Sequence, residues 1–231
     1  MKRIAYIPAR AGSKRIPGKN IKCIDGVPLI AYTIRAAQQS NLFEKIFVST
    51  DSEEIAAIAR RYGADVPFLR CAEVAQDTTR TIDTVCSDVT RMKALGWSFD
   101  VFVLLQPTSP LRQSDDIRGA VQLFESKGLD CGGVITIVPV TEHPVFMRLM
   151  NEDARLENVL PCSSTVRSQD LPAYYRINGA VYVNSWNELS PDLSLNDNRY
   201  GYVIGGGADI DIDSIHDFRK AEQMILNNKH S

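Results

Sequence analysis

The groups best suited to bind phosphate follow the first apolar run of the chain. Residues 4–20 read IAYIPARAGSKRIPGKN, and seven Lys and Arg residues precede the first acid, Asp25, although the whole chain has a net charge of only −2. The loop after this run carries two glycines and four cations: Gly12, Gly18, Arg10, Lys14, Arg15 and Lys19. Glycines let backbone N–H groups approach phosphate oxygens, and cations neutralise the charge of an incoming anion. The loop therefore predicts a polyphosphate site.

Two other readings of this loop exist. A solvated, positively charged turn would have a similar composition, but the loop exceeds the about two to six residues that usually join a strand to a helix. The second reading is the phosphate loop of a P-loop kinase or NTPase, because Gly12 to Asn20 reads G-x5-G-K-N. A P-loop needs one residue fewer between its glycines and a hydroxyl where Asn20 stands, and Pro17 removes a backbone donor. The P-loop thus stays a distant alternative.

Three alternating aspartates lie late in the chain, in the run DIDID at residues 209–213. Alternate residues of an extended segment project to one face, so Asp209, Asp211 and Asp213 can point the same way. Close carboxylates repel one another unless a cation lies among them, and Mg²⁺ prefers such oxygens while it keeps waters and phosphates in the rest of its shell. The run predicts a Mg²⁺ site, which Mn²⁺ could also fill.

A third polar motif, LLQPTSPLR at residues 104–112, lies at the end of the apolar run Val101–Leu105. Ligands of open α/β sheets bind at the carboxyl ends of strands, so its polar side chains would face a ligand. These side chains belong to Gln106, Thr108 and Ser109. The two prolines of the motif are also typical of an ordinary turn before a helix, so the motif alone leaves both readings open.

Composition excludes several classes of protein. With 231 residues, 44% hydrophobic and 23% charged, the chain can bury a sizeable core. No stretch reaches membrane-spanning length and the first residues carry charges, which predicts a cytoplasmic protein without membrane contact. Five scattered cysteines indicate free thiols, and three dispersed histidines give zinc little support. The near-zero net charge argues against nucleic acid as a partner.

The elements that position these motifs follow from apolar periodicity. Runs of strand length recur at Ile4–Ile7, Ile46–Ser49, Val101–Leu105, Val134–Val138, Ala180–Val183 and Tyr202–Ile204. Helical patterns lie between them: Ile55, Ile58, Ala59 and Tyr62, then Ile117, Ala120, Val121 and Phe124. Pro28 and Ser114 mark helix starts. Strands that are apolar on both faces and alternate with helices predict an α/β fold with a mainly parallel sheet.

One long stretch interrupts this alternation. Residues 139–176 show no clear period and contain Pro139, Pro144, Pro161 and Pro172. A long irregular stretch inside a compact domain is usually functional or an interaction arm. We therefore predict a core of residues 1–138 and 177–231, with 139–176 as an inserted arm. Its apolar side chains need a partner surface, which predicts a homodimer.

Four motifs, in order over nearly the full length, carry a resemblance to a known family: PARAGSKRIPGKN, LLQPTSPLR, R-x8-R-I-NGAVY from Arg167 to Tyr182, and DIDID-x3-D. Together they resemble the acylneuraminate cytidylyltransferases, the CMP-sialic acid synthetases. Members of this family condense CTP with an acidic nine-carbon 2-keto sugar, giving the CMP-sugar and pyrophosphate. The resemblance implies a Rossmann-like nucleotidyltransferase core with a small dimerisation arm.

The resemblance also implies roles for individual residues. It implies nucleotide contacts at Arg10, Ser13, Lys14, Lys19, Asn20, Arg70, Thr79 and Thr81. It implies sugar contacts at Gln106, Arg167, Arg176, Asn178 and Tyr182. It places the metal on Asp211 and Asp213, with Asp209 outside the pair. Arg10 and Lys19 would stabilise charge in the transition state, and either Asp211 or an Asp-bound water would take the proton.

One departure bears on the choice of sugar. After the His-Pro of the arm some sialate enzymes carry a lysine near the sugar carboxylate, whereas this chain has Phe146, and Arg148 is the candidate replacement. N-acetylneuraminate is the expected substrate, and legionaminate or another nonulosonate is the alternative. The Kdo synthetases share an RIPGK-like run, but LLQPTSPLR and NGAVY fit the sialate group better. A non-catalytic nucleotide-binding module is a further alternative, against which the acid pair argues.

Overall fold

A mixed α/β arrangement is seen in the computed structural model, which describes residues 1–71, 79–161, 165, 167, 169, 171–205 and 209–229. The strands of the described chain are β1 (Arg3–Pro8), β2 (Cys23–Ile24), β3 (Val27–Pro28), β4 (Lys45–Ser49), β5 (Val101–Leu105), β6 (Val134–Pro139), β7 (Arg148–Met150), β8 (Leu156–Asn158), β9 (Tyr175–Ser185) and β10 (Tyr200–Val203). The helices are α1 (Leu29–Ser40), α2 (Glu53–Arg61), α3 (Thr81–Ala94), α4 (Ser114–Lys127) and α5 (Ile215–Lys229). All six strands predicted from the apolar runs are present.

Six strands form one central sheet in the order β10-β6-β9-β5-β1-β4. Strand β1 pairs in parallel with β4 and β5, and β10 pairs in parallel with β6. Strand β9 alone is antiparallel, to β5 on one side and to β6 on the other. The predicted mainly parallel sheet is confirmed. Its five parallel strands end at one edge, where ligands of such sheets bind.

Both faces of the sheet are covered, as strands that are apolar on both faces require. On one face, α1, α2 and α4 pack on alternate residues of β1 and β5 through side chains such as Ile34, Ile55 and Phe124. On the other face, α3 and Trp186 pack on the remaining strand residues, Tyr6 and Phe102 among them. Strand β5, which reads VFVLL, is buried at all five positions.

Helix boundaries follow local signals. The Ser52 side chain accepts a hydrogen bond of 3.3 Å from Ile55 N at the start of α2. Before α5, the Asp217 carboxylate accepts from Ser214 N at 2.7 Å, and Ser214 Oγ accepts from Asp217 N at 3.3 Å. This reciprocal pair of bonds is a capping box with Asp in the place of the usual Glu or Gln. Helix α2 ends at Arg61, so the apolar pattern that extended to Tyr62 overran it by one residue.

Strand β9 is longer than predicted and irregular. It spans 11 residues, and its pairing with β6 shifts register between Ile135 and Ile137. Ile137 pairs with Ile177 and Ile135 with Tyr182, so the extra residues lie at 178–181. Gly179 has φ +72°, in the left-handed region that favours glycine. This bulge lies at the carboxyl end of the parallel strands, beside the end of β5.

Between β6 and β9, the described residues of 140–174, an excursion from the sheet, are 140–161, 165, 167, 169 and 171–174. They contain a 3-10 turn at Pro144–Phe146 and the two-stranded hairpin β7–β8. The His143 ring packs edge-on against Tyr174 with centroids 4.6 Å apart, which joins the two ends of the excursion. Several apolar side chains of this region are exposed: Phe146 55%, Met147 43%, Leu149 61%, Met150 70% and Leu156 60%. Among the described residues no helix is long and apolar enough to cross a membrane.

Candidate active site

The basic loop leaves β1 at the carboxyl edge of the sheet and is held there by its own backbone and by one buried amide. Ala9 N donates to Ser49 O at 2.8 Å, and Ala11 N donates to Asp51 Oδ1 at 2.8 Å. The loop ends in a 3-10 turn at Lys19–Ile21, directly after Gly18 at φ +63°. Asn20 is buried, and its Nδ2 donates to Arg10 O at 2.9 Å. The amide of Asn20 thus fixes the part of the loop that carries Arg10.

The DIDID segment runs along this loop with its aspartates outward. Ile210 and Ile212 are buried in an apolar cluster with Leu111 and Phe218, whereas Asp209, Asp211 and Asp213 are exposed. The alternation predicted from the sequence is therefore confirmed. Ile212 N donates to Thr108 O at 2.9 Å, so the segment is tied to the loop after β5.

Three loops meet in one cleft of about 410 Å³. Its lining combines cations and a buried amide from the first loop with carboxylates from the DIDID segment: Pro8, Arg10, Lys19, Asn20, Thr81, Gln106, Pro107, Thr108, Asp211 and Asp213. Cations therefore face a pair of carboxylates across a space open to solvent. This arrangement suits a polyphosphate with a divalent cation.

The charges in the cleft act on one another. Partial burial lowers the pKa of Lys19, and the nearby carboxylates of Asp213 and Asp211 oppose that shift. Partial burial raises the pKa of Asp211, while a hydrogen bond from Thr108 and the charge of Lys19 act in the opposite direction. Asp213 forms an ion pair with Arg15 at 3.1 Å. The two carboxylates and the basic loop are thus close enough to interact strongly in a partly dry site.

A second cavity of about 330 Å³ adjoins the cleft, because Thr81 and Gln106 line both. Its other walls come from α3, β5, β9 and the chain after β9: Arg80, Ile82, Leu104, Tyr182, Asp192, Leu193, Ser194, Leu195 and Asn196. The Tyr182 hydroxyl donates to Asn196 Oδ1 at 3.3 Å. Burial raises the pKa of Tyr182 to about 12, so this hydroxyl stays protonated at neutral pH. The second cavity combines the apolar side chains of Ile82, Leu104, Leu193 and Leu195 with polar and charged ones.

Comparison with known proteins identifies the family. Residues 4–180, more than half of the chain, match the model of a protein family described as cytidylyltransferase. The chain belongs to the cytidylyltransferase family. The family prediction made from the four motifs is confirmed, the enzyme is a nucleotidyltransferase, and the P-loop alternative is set aside.

Relatives and a solved structure agree with this assignment. The cytidylyltransferase is 36% identical over 239 residues to CMP-N,N'-diacetyllegionaminic acid synthase of Legionella pneumophila, covering 100% of this chain and 99% of that protein. It is 33% identical over 221 residues to N-acylneuraminate cytidylyltransferase of Streptococcus agalactiae, covering 94% of this chain and 52% of that protein. CMP:2-keto-3-deoxy-manno-octonic acid synthetase complexed with CTP matches with a TM-score of 0.72 at 16% identity, over 99% of this chain and 100% of that one. The last match shows a shared fold.

The cleft of the cytidylyltransferase brings together about half of the residues predicted for the site. Among the described residues, the predicted side chains that line the cleft or the second cavity are Arg10, Lys19, Asn20, Thr81, Gln106, Tyr182, Asp211 and Asp213. The predicted ones that do not are Ser13, Lys14, Arg70, Thr79, Arg167, Arg176 and Asn178.

Arg70 is held at the end of β4. Its Nε donates to Ser49 Oγ and its Nη2 to Ser49 O, both at 3.0 Å. Ser49 Oγ in turn bonds the buried carboxylate of Asp88, which also accepts from the Tyr6 hydroxyl at 2.8 Å. Burial raises the pKa of Asp88. Sequence reasoning missed this buried network, because Asp88 lies in an ordinary helical pattern.

Three other candidate side chains, two predicted for the sugar and Arg148, make local contacts. Arg176 forms an ion pair with Asp209, the third aspartate of the DIDID segment. The Asn178 Oδ1 atom accepts from Thr136 Oγ1 at 2.7 Å and from Ala180 N at 3.2 Å, inside the β9 bulge. Arg148 Nη1 donates to Val145 O and to Met147 O, both at 2.7 Å, within the excursion. These contacts hold the surrounding backbone.

Sequence reasoning missed one wall of the second cavity. Residues 192–196 are a polar turn region with no motif, and they return to the cavity because Leu193 and Leu195 pack on the sheet face near Trp186. Strand β9 runs antiparallel to β5 and ends with Ser185 opposite Val101, the first residue of β5, so the chain enters this region from the amino edge of the sheet. Apolar periodicity does not reveal strand direction.

Proposed function

We propose that this cytidylyltransferase condenses CTP with a nonulosonic acid, an acidic nine-carbon 2-keto sugar, to give the CMP-sugar and pyrophosphate. The observation that carries the proposal is the pair of adjoining cavities. A charged cleft between the basic loop and the DIDID segment fits a nucleoside triphosphate, and the cavity beyond Gln106, with its polar and apolar walls, fits the sugar acid. Thr81 and Gln106, which line both, would lie where the two substrates meet.

The chemistry requires charge stabilisation more than covalent participation. The anomeric hydroxyl of the sugar attacks the α-phosphorus of CTP, an O–P bond forms, and the bond from that phosphorus to the bridging oxygen breaks as pyrophosphate leaves. Negative charge grows on the phosphoryl oxygens, and Arg10 and Lys19 face that position across the cleft. The hydroxyl proton passes to Asp211 or to a water held by an aspartate.

The acid pair fits a bound Mg²⁺. Asp211 and Asp213 lie on one face of an extended segment in the cleft, and the charge of Asp213 disfavours ionisation of Asp211. Among the described residues no group of three or more His, Cys, Asp or Glu side chains could hold a metal. Two carboxylates suit Mg²⁺, which takes its remaining ligands from phosphates and water. When bound, the ion would neutralise phosphate charge and orient the triphosphate.

Two nonulosonic acids are candidates. N-acetylneuraminate is the first, on the strength of the four motifs. N,N'-diacetyllegionaminate is the second, because the similarity to a synthase named for that product extends over 99% of its length, and because Phe146 replaces a lysine of some sialate enzymes. The two sugars differ in the number of acetamido groups. Leu104, Leu193 and Leu195 of the second cavity would contact these groups and so distinguish the two sugars.

The remaining sugar contacts would be made on substrate binding. Arg176 pairs with Asp209 at an exposed site, where an ion pair is worth little. A sugar carboxylate could therefore take the place of Asp209 on the guanidinium group of Arg176 at small cost.

Arg167 and the apolar side chains of residues 140–174 fit a homodimer in which the excursion of one subunit completes the site of the other. A cytoplasmic location stays a prediction.

The experiment that tests the function is a product analysis. Purified enzyme with CTP and Mg²⁺ would be offered N-acetylneuraminate, N,N'-diacetyllegionaminate, Kdo or no sugar, and pyrophosphate and CMP-sugar would be quantified. Pyrophosphate released only with a 2-keto acid sugar, in equal amount to a CMP-sugar, supports the proposal. Release of a nucleoside diphosphate would indicate a kinase. Tight CTP binding without turnover on any sugar would indicate a non-catalytic nucleotide-binding module.

A further inference from the structure

A buried guanidinium lies behind the loop that separates the two cavities. Arg112, the last residue of LLQPTSPLR, is 3% exposed. Its Nη1 atom donates to Ala180 O at 2.8 Å and to Gln106 O at 3.0 Å. Its Nε and Nη2 atoms are buried and have no hydrogen-bond partner among the described residues. The side chain therefore makes its two bonds through a single nitrogen, and both go to backbone carbonyls.

Burying this guanidinium destabilises the folded protein. Burial lowers the pKa of Arg112 to about 9, and the charge of Asp116 only partly opposes that effect. The Asp116 carboxylate is itself occupied by Gln113 N at 2.8 Å, at the start of α4. A buried cation that lacks a bonded acid usually destabilises a protein compared with an apolar side chain of the same volume. Stability alone therefore does not explain an arginine at this position.

The two carbonyls that Arg112 binds belong to the two sides of the second cavity. Gln106 is the first residue after β5 and lines both the cleft and the second cavity. Ala180 lies in the bulge of β9, two residues before Tyr182, which forms another wall of that cavity. A β-bulge frees backbone groups from the regular ladder and re-aims nearby side chains. Arg112 supplies a donor for a carbonyl in this bulge and joins it to the end of β5.

The Gln106 side chain also lies against the β9 bulge. A Cβ atom added to Gly179 would lie 2.8 Å from Gln106 Oε1, so the tip of that side chain would have to move. A small shift of the bulge relative to β5 would move Gln106 and Tyr182 relative to each other.

We infer that Arg112 is a positioning residue, which sets the distance between Gln106 and the β9 bulge and so shapes the second cavity for its substrate. The inference rests on the proposed function in one respect, that the second cavity takes the sugar acid. Arg112 contacts neither substrate, and its effect is transmitted through Gln106 and Tyr182. The nucleotide cleft keeps its basic loop and its acid pair when Arg112 is changed.

Steady-state kinetics with both substrates would test this role. Arg112→Met should raise KM for the accepted sugar on the order of 10- to 100-fold, because a displacement near 1 Å can cost that much. KM for CTP should stay within about twofold of the parent value, since the loss is specific to one substrate. Arg112→Lys, which can donate to both carbonyls, should recover most of the sugar affinity. Arg118→Met is the matched control: it removes an arginine of α4 that binds Asp115 and Gln39 O, and should leave both KM values unchanged.

Several results would overturn the inference. Equal increases in both KM values, or a lower melting temperature with unchanged KM values, would show a general structural role. Equal defects in the Lys and Met variants would also contradict it. Should Arg112→Met fail to fold, Arg112→Gln decides, because a glutamine side chain is too short to bond both carbonyls: a sugar-specific KM defect supports the inference, and an unchanged sugar KM overturns it.

A readout without substrate separates this inference from the proposed function. Amide hydrogen exchange in peptides covering 104–108 and 178–182 should accelerate in Arg112→Met relative to the parent, and less so in Arg112→Lys, with the helices unaffected. A parent that turns over no nonulosonic acid would defeat the proposed function and leave this measurement intact. Unchanged exchange in both segments, in a parent that is active, would defeat the role of Arg112 alone.

Discussion

Lys19 Nζ donates a hydrogen bond of 2.8 Å to the carbonyl oxygen of Ile212, across 193 positions of the chain. Ile212 lies between Asp211 and Asp213, so this bond holds a cation of the basic loop against the two acids. The ammonium group keeps further donors for a phosphate, since a lysine has three. The bond therefore fixes the width of the triphosphate cleft.

The first prediction concerns Lys19. Lys19→Met should cost about 2–4 kcal/mol of transition-state stabilisation, because the ammonium group faces charge that develops on the phosphoryl oxygens. The loss should appear in kcat and in kcat/KM for CTP alike. Lys22→Met is the control, since Lys22 lies over the Phe218 ring at 5.4 Å and outside the described cleft lining. A change confined to KM would show uniform binding of CTP.

The second prediction concerns the acid pair. Asp211→Asn should lower kcat by on the order of 100-fold or more and shift the Mg²⁺ dependence to higher concentration, because one charged ligand is lost. The melting temperature should change little, because the side chain is exposed. Asp209→Asn changes a carboxylate of the same segment that pairs with Arg176, and should leave the Mg²⁺ dependence as it is. Full turnover of Asp211→Asn at low Mg²⁺ would contradict the metal assignment.

The third prediction is a pH dependence of stability that comes from Asp88. Because burial raises its pKa in the folded protein, its contribution to stability is fully present below the unfolded pKa of about 3.9 and is lost as the pH rises through the folded pKa. Asp88→Asn removes this dependence. The free energy of unfolding of the variant relative to the parent should therefore rise with pH in urea denaturation series.

Asp83 gives a control of opposite sign for that series. Its hydrogen bond with Arg80 lowers the pKa of the carboxyl, so its contribution is present above the unfolded pKa and is lost as the pH falls through the folded one. The free energy of unfolding of Asp83→Asn relative to the parent should decline as the pH rises. Parallel slopes for the two variants would show that Asp88 is not penalised by burial.

The fourth prediction concerns assembly. The enzyme should sediment as a dimer, and Leu149→Asp with Met150→Asp should shift it toward monomer, because both side chains are exposed apolar groups of the β7–β8 hairpin.

If the excursion completes the site of the neighbouring subunit, mixing the Asp211→Asn and Arg167→Ala proteins should restore part of the lost activity. A fully active monomer at assay concentration would defeat the dimer. Mixed dimers without recovered activity, after proven subunit exchange, would defeat a shared site.

The sequence by itself determined the parts of this protein that depend on local pattern. Alternation of Ile210 and Ile212 with the aspartates fixed which side chains face outward, because an extended segment has a period of two. Apolar runs located every strand of the central sheet, and the unopposed cations located the phosphate loop. The order of four motifs determined the family, since each motif alone also fits an ordinary turn or cap.

Only the tertiary structure decided which of those groups meet. The antiparallel direction of β9 and its bulge at 178–181 depend on pairing with β5 and β6, which no local pattern encodes. The buried bond of Arg112 to Ala180 O, and those of Asp88 to Tyr6 and Ser49, join residues that are far apart in the chain. A charged side chain is normally exposed, and only packing from several elements can bury it. Its sequence neighbours therefore cannot reveal that Arg112 or Asp88 is buried.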